Sequence, residues 1–153
     1  MAGEREYKKV LCNQLISMLE KRAEETEEAM QALKESRENE TKSSAGDKYE
    51  TAREMIRIEL EKYDVQLRNT RLLLHELSKI DLDKEYDKVE TGSLVFTSLG
   101  NYFMSVGIGK VDTGKDAVFV ISVASPLGQA LKDKAAGDSG TFQGKNWMID
   151  RIA

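Results

Sequence analysis

Glycine and proline are distributed unevenly along this chain, and that unevenness restricts its fold more than any other feature. Residues 1–80 hold two of the eleven glycines, Gly3 and Gly46, and no proline. Residues 92–144 hold the other nine together with Pro126, the one proline. Both residue types punctuate backbone structure, so the first half has room for long uninterrupted helices and the second for short elements joined by tight turns. The sequence predicts an α+β chain in three stretches: a helical region over 1–80, a linker over 81–91 and a small sheet domain over 92–153. The linker reading rests on the polar run "KIDLDKEYDKVETGS", Lys79 to Ser93.

In the first half Leu15, Leu19, Thr26, Met30 and Leu33 recur at helical spacing. So do Tyr49, Ile56, Leu60, Tyr63, Leu67, Thr70, Leu74 and Leu77, in the alternating rhythm of a coiled-coil seam. If the two helices fold back as an antiparallel hairpin, facing positions must carry numbers with a constant sum. Leu15 with Leu74, Leu19 with Thr70, Thr26 with Tyr63, Met30 with Leu60 and Leu33 with Ile56 all sum to 89 or 90. The hinge then falls near Ser44 and Ala45, inside "ESRENETKSSAGDKYE" (Glu35 to Glu50), with Asp47 placed to cap the second helix. Arms of roughly 30 to 35 residues reach on the order of 45 to 50 Å. Such a pair reads as a probe or lever more than as a compact core, with Thr26 and Thr70 weakening its seam.

The second half changes period. "GSLVFTSL", "YFMSVGIGKV", "AVFVISVAS", "GTFQG" and "NWMIDRI" read as strands of a small antiparallel sheet. Between the third and fourth, Ser125 is placed as an N-cap and Pro126 as the first helical residue. A short helix is therefore expected over Leu127 to Lys134, closed around Gly137.

Composition narrows the function classes. With 33% charged residues and a formal net charge of −4, the chain has no footprint for binding duplex nucleic acid on its own. Lys132, Lys134, Lys145 and Arg151 are interleaved with Asp133, Asp138 and Asp150. "GIGK", Gly107 to Lys110, lacks the second half of a phosphate-binding loop. One cysteine, Cys12, and one histidine, His75, allow neither a disulfide within the chain nor a Cys/His zinc cluster, which points to a reducing compartment. No apolar run approaches a membrane span, and the expected location is the cytoplasm.

Three clusters carry chemistry on paper. Cys12 and His75 form a thiol–imidazole pair only if the hairpin brings them together, and no orienting group or oxyanion site accompanies them. Packing of Cys12 in the seam is the simpler reading. Glu20, Glu24, Glu25, Glu27 and Glu28 form an acidic run that reads as a solvated helix face. The turn stretch concentrates Glu35, Glu38, Glu40, Asp47 and Glu50. These either keep a turn hydrated or offer hard oxygen ligands to a metal ion at an exposed tip.

The segment "ISVASPLGQALKDKAAGDSGTFQGKNWMIDRI", Ile121 to Ile152, resembles the C-terminal domain of the bacterial Gre transcript-cleavage factors: a strand, Ser-Pro, a short helix, a Gly-Asp turn and a closing hairpin. "TGSLVFTSL" resembles the first strand of that domain. "DKYETAREM", Asp47 to Met55, resembles the motif at the start of the family's second helix. The resemblance implies an FKBP-like C-terminal domain docked on the rim of the RNA polymerase secondary channel, through Ser125, Pro126 and Leu127. It also implies a coiled coil whose tip enters the channel. In cleavage-competent members the tip carboxylates help hold a Mg²⁺ ion shared with the polymerase. The protein would then be no enzyme itself and bind no metal or tight cofactor of its own. It would meet nucleic acid only through the polymerase, and neither membrane nor small-molecule substrate. The family's two tip acids fall here on Lys42 and Ala45, which leaves Glu38, Glu40 and Asp47 as the candidate tip carboxylates. The alternatives are a non-cleaving polymerase inhibitor of the same fold and, in a different class, an FKBP-like peptidyl-prolyl isomerase or chaperone. The latter requires an aromatic-lined pocket from Phe96, Tyr102, Phe103, Phe119, Phe142 and Trp147.

Overall fold

The computed structural model describes residues 2–43 and 46–153, with the side chains of 2, 40–43 and 47 excepted. The expected hinge residues Ser44 and Ala45 lie outside the described residues. Two helices come first, α1 (Ala2–Ser43) and α2 (Asp47–Ser78). β1 (Leu94–Thr97), β2 (Gly100–Met104), β3 (Gly109–Asp112) and β4 (Ala117–Ile121) follow, then α3 (Pro126–Leu131), β5 (Ser139–Phe142) and β6 (Lys145–Ile152). The chain divides into two compact units. One comprises residues 15–75, and the other residues 1–14 together with 76–153, so the division falls within α1.

In the unit of residues 15–75, the backbone enters α2 through Gly46, at φ 76°. Its carbonyl accepts from the amides of Tyr49 (3.2 Å) and Glu50 (3.3 Å). Gly46 therefore occupies the cap position expected for Asp47, which is instead the first residue of α2. Leu15, Leu19 and Leu67 are buried. So are Thr26 and Thr70, whose hydroxyls donate to the carbonyls of Arg22 and Gln66, one turn back, at 2.9 Å each. That internal bond satisfies a buried hydroxyl that a seam otherwise leaves unpaired. Arg71 joins α2 to α1 through Glu27 at 2.7 Å. Toward the turn Met30, Leu33, Tyr49, Ile56, Leu60 and Tyr63 are only half-buried.

The other unit is a six-stranded sheet in the order β3-β4-β2-β1-β6-β5. The sheet is mixed, which corrects the expected antiparallel arrangement: β2 and β4 run parallel, with Asn101 beside Val118 and Met104 beside Ile121. Alternation of apolar residues reports which face a side chain takes and not the direction of the neighbouring strand. The run "YFMSVGIGKV" is two strands rather than one. It breaks after Met104, and Gly109 at φ 100° lets the chain re-enter as β3, an antiparallel partner of β4. Val89, Val95, Tyr102, Met104, Leu131, Trp147 and Ile149 form one core cluster. α3 stops at Leu131, three residues earlier than expected, because Asp133 adopts a left-handed φ of 64° and gives its amide to the Val89 carbonyl at 2.9 Å.

That last bond ties the segment of residues 81–91 to the end of α3. Tyr86 and Val89 are buried, and the Val89 amide donates to the Lys134 carbonyl at 2.8 Å. Three isolated apolar residues, Leu82, Tyr86 and Val89, in a charged stretch are too few to be recognised as core. Gly92 completes this segment: at φ 102°, a Cβ there would lie 2.2 Å from the Tyr86 hydroxyl, so the close approach admits no side chain.

Candidate functional site

Of the three candidate tip carboxylates, Glu38 stands exposed in the penultimate turn of α1. The side chains of Glu40 and Asp47 lie outside the described residues, as does that of Lys42, while Ala45 lies outside them altogether. Glu35, one helical turn before Glu38, accepts from the Gln31 amide at 3.4 Å. On α2, Arg53 donates to the Tyr49 hydroxyl at 3.0 Å, and its guanidinium stands 5.9 Å from that ring. Among the described residues no group of three or more His, Cys, Asp or Glu is arranged to hold a metal ion. A single exposed carboxylate offers two hard oxygens, whereas a divalent cation takes six or so. Glu38 can therefore serve a metal only as a partial ligand, with the remaining ligands supplied from outside this group.

The acidic run on α1 is a solvated face. Glu20, Glu24, Glu25, Glu27 and Glu28 are all exposed, and Glu27 alone of these has an ion pair across to α2.

In the other unit the segment "SPLGQAL" forms α3 as its chemistry dictates. Ser125 accepts from the Gly128 amide at 3.0 Å and donates to the Ser122 carbonyl at 2.7 Å, so its hydroxyl is spent on the cap. Gly128 is required because a Cβ there would lie 2.2 Å from the Ser122 carbonyl oxygen. Leu131 is buried and Leu127 packs half-buried on the core. Pro126 and Gln129 remain exposed, and the Gln129 side chain donates to the Val123 carbonyl at 2.7 Å. Of the three residues expected at a docking face, Pro126 is exposed and Ser125 and Leu127 are half-buried.

Cys12 is buried, and burial pushes its thiol pKa up, the opposite of what a nucleophile requires. The aromatic residues are committed to packing. Tyr102 and Phe119 stack at 5.4 Å, Phe103 has no exposed surface, Trp147 is buried over Gly140 and Phe96 lies under the Arg151 guanidinium at 3.9 Å.

Sequence reasoning passed over Lys8. It sits three residues before Leu11 and seven before Leu15, so it occupies a place on the apolar stripe that continues through Leu19. A lysine on that line was the available signal. Its ammonium is buried, donates to the Gly92 carbonyl at 3.0 Å and lies 4.5 Å from the centre of the Tyr86 ring. Burial, reinforced by the nearby Arg5 charge and only partly opposed by Asp81, lowers its pKa to about 8.

No protein-family model matches the chain, and no curated protein matches it. No helix among the described residues is long and apolar enough to cross a membrane.

Proposed function

We propose that the chain is a cytoplasmic, Gre-like protein of bacterial type that binds in the secondary channel of RNA polymerase and modulates transcript elongation or initiation. The observation that carries this reading is the pair of long helices, 42 and 32 residues, joined through Gly46 with Glu35 and Glu38 near the turn. In this reading they form an antiparallel coiled-coil hairpin. The buried seam of Leu15, Leu19, Thr26, Leu67 and Thr70 and the Arg71–Glu27 pair support that arrangement. Cβ vectors lean toward the N-terminus of each helix. In an antiparallel pair Arg71 and Glu27 therefore lean toward one another, which lets them meet although their numbers sum to more than 90. The unit containing the Ser125-capped α3 is read as the FKBP-like docking domain, with Pro126 at the contact.

The protein supplies ligands rather than an active site. Glu38, with Glu40 and Asp47 as the further candidates, would complete the shell of a Mg²⁺ ion held chiefly by the polymerase, activating water on backtracked RNA. No metal or cofactor belongs to the chain itself, nucleic acid is met only through the polymerase, and no membrane or small-molecule substrate takes part.

Two experiments test this. Tagged protein should co-purify with core RNA polymerase, and its absence from the complex ends the proposal. In a stalled, backtracked complex the protein should speed RNA shortening, and Glu38→Ala should reduce that acceleration. Binding without acceleration assigns the non-cleaving regulatory role instead.

A further inference from the structure

We propose that the cleft walled by Arg5, Lys8, Lys84 and Tyr86 is a binding site for a small oxyanion of phosphate size. The cleft encloses about 190 Å³ and lies wholly within the unit of residues 1–14 and 76–153. That volume suits a phosphoryl group and falls short of the several hundred Å³ typical of sites for drug-sized ligands. Three cations converge on it. Lys8 is 1% exposed, yet among the described residues no carboxylate comes within ion-pair distance of its ammonium. One carbonyl and one aromatic ring hold it, and Asp81 acts on it only at longer range. Lys84 brings a second ammonium to 5.0 Å from the same Tyr86 ring. Arg5 adds a third positive charge, strong enough in its effect on Lys8 to oppose that residue's protonation.

A buried charge without a partner is costly, and the like charge of Arg5 raises that cost. An anion in the cleft relieves both terms, because Coulomb attraction over a few ångströms is large where solvent is partly excluded. The carboxylates present do not do this for Lys8. Glu85 pairs with Arg5 at 3.2 Å and is itself 88% exposed, while Glu90 pairs with Lys84. Exposed pairs of this kind are worth little, so Arg5 and Lys84 can turn to a bound anion at small cost. Arg5 then offers a fork of donors and Lys84 a point charge.

The test uses the full chain at neutral pH, with inorganic phosphate titrated against sodium chloride at constant ionic strength and amide resonances followed by NMR. Phosphate is expected to shift the amides of residues 82–86 and 92 saturably. Arg5→Gln and Lys84→Gln, both at exposed side chains that leave the fold intact, should each weaken binding about tenfold. Acetate, with one charge and two oxygens, should bind at least about tenfold more weakly than phosphate. Lys132→Gln, at an exposed residue after α3, should leave the titration unchanged. The proposal is overturned if the shifts rise linearly and equally in phosphate and chloride. Parental affinity in Arg5→Gln and Lys84→Gln also overturns it, as does acetate binding as tightly as phosphate.

Discussion

The two units of this molecule bury their side chains in different ways. In the sheet unit Val89, Val95, Tyr102, Met104, Leu131, Trp147 and Ile149 enclose one another from several elements. In the helical unit Leu15, Leu19 and Leu67 are the buried hydrophobic residues among those described, with Thr26 and Thr70 beside them, and burial thins toward the turn. Between two helices burial is complete at Leu15 and Leu19, whereas Met30, Leu33, Ile56 and Leu60 nearer the turn keep an edge in water. A sheet covered by a helix and loops closes around its residues completely. Local stability follows burial, and the turn-proximal part of the helical pair is accordingly the less stable end.

That contrast can be broken or sharpened by mutation. Trp147, the one tryptophan, reports the sheet unit by fluorescence, while far-UV circular dichroism weights the helices. Phe103→Ala, at a residue with no exposed surface, should destabilise the sheet unit by about 3–5 kcal/mol in urea unfolding followed by Trp147. Gly128→Ala should cost about 1–3 kcal/mol by the same measurement, because the added methyl meets the Ser122 carbonyl and forces α3 to shift. If either substitution proves silent, the enclosed-core account of this unit is wrong.

Lys8 predicts a pH dependence confined to the sheet unit. Its folded pKa, about 8, lies below the ordinary 10.5, so between these values the unfolded chain binds more protons and stability rises with pH. Cys12, raised by burial, opposes this from about pH 9 upward, because the unfolded thiol ionises first. Unfolding midpoints should therefore climb between roughly pH 8 and 9, and Lys8→Met should flatten that slope. A climb of equal size in Lys8→Met would assign it to another group.

In the helical unit Leu33→Ala, at a half-buried position, should cost less than about 1 kcal/mol, since water fills the space without leaving a cavity. Amide exchange should be faster over 30–37 and 49–56 than over 15–26. Smallest of all, Arg71→Ala should cost about 0.2–1 kcal/mol in a double-mutant cycle with Glu27, because both side chains are exposed.

Much of the architecture was legible in the chain. A stretch of seventy-odd residues with one interior glycine and no proline has few alternatives to long helices, and the residues placed on the seam are the buried and half-buried ones. Ser125, Pro126 and Gly128 encode α3 locally, since the cap bond, the fixed proline φ and the excluded Cβ all act within the seven residues from Ser122 to Gly128. The candidate site was legible only as composition. Acidic residues cluster around Gly46, but nothing in their spacing says how many oxygens can converge.

What tertiary structure decided was direction, closure and charge environment. The parallel pairing of β2 with β4 depends on how the β3–β4 hairpin folds back, a choice between distant segments that alternation does not record. Val89 became core because Asp133 and Lys134 met it across more than forty residues. Lys8 reads in the sequence as one more charge in a charged helix. Only the approach of Tyr86 and the Gly92 turn, over seventy residues away, buries it and sets its proton affinity. Periodicity and capping are local and survive in a linear string, whereas the electrostatics of a site belong to the groups that folding brings together.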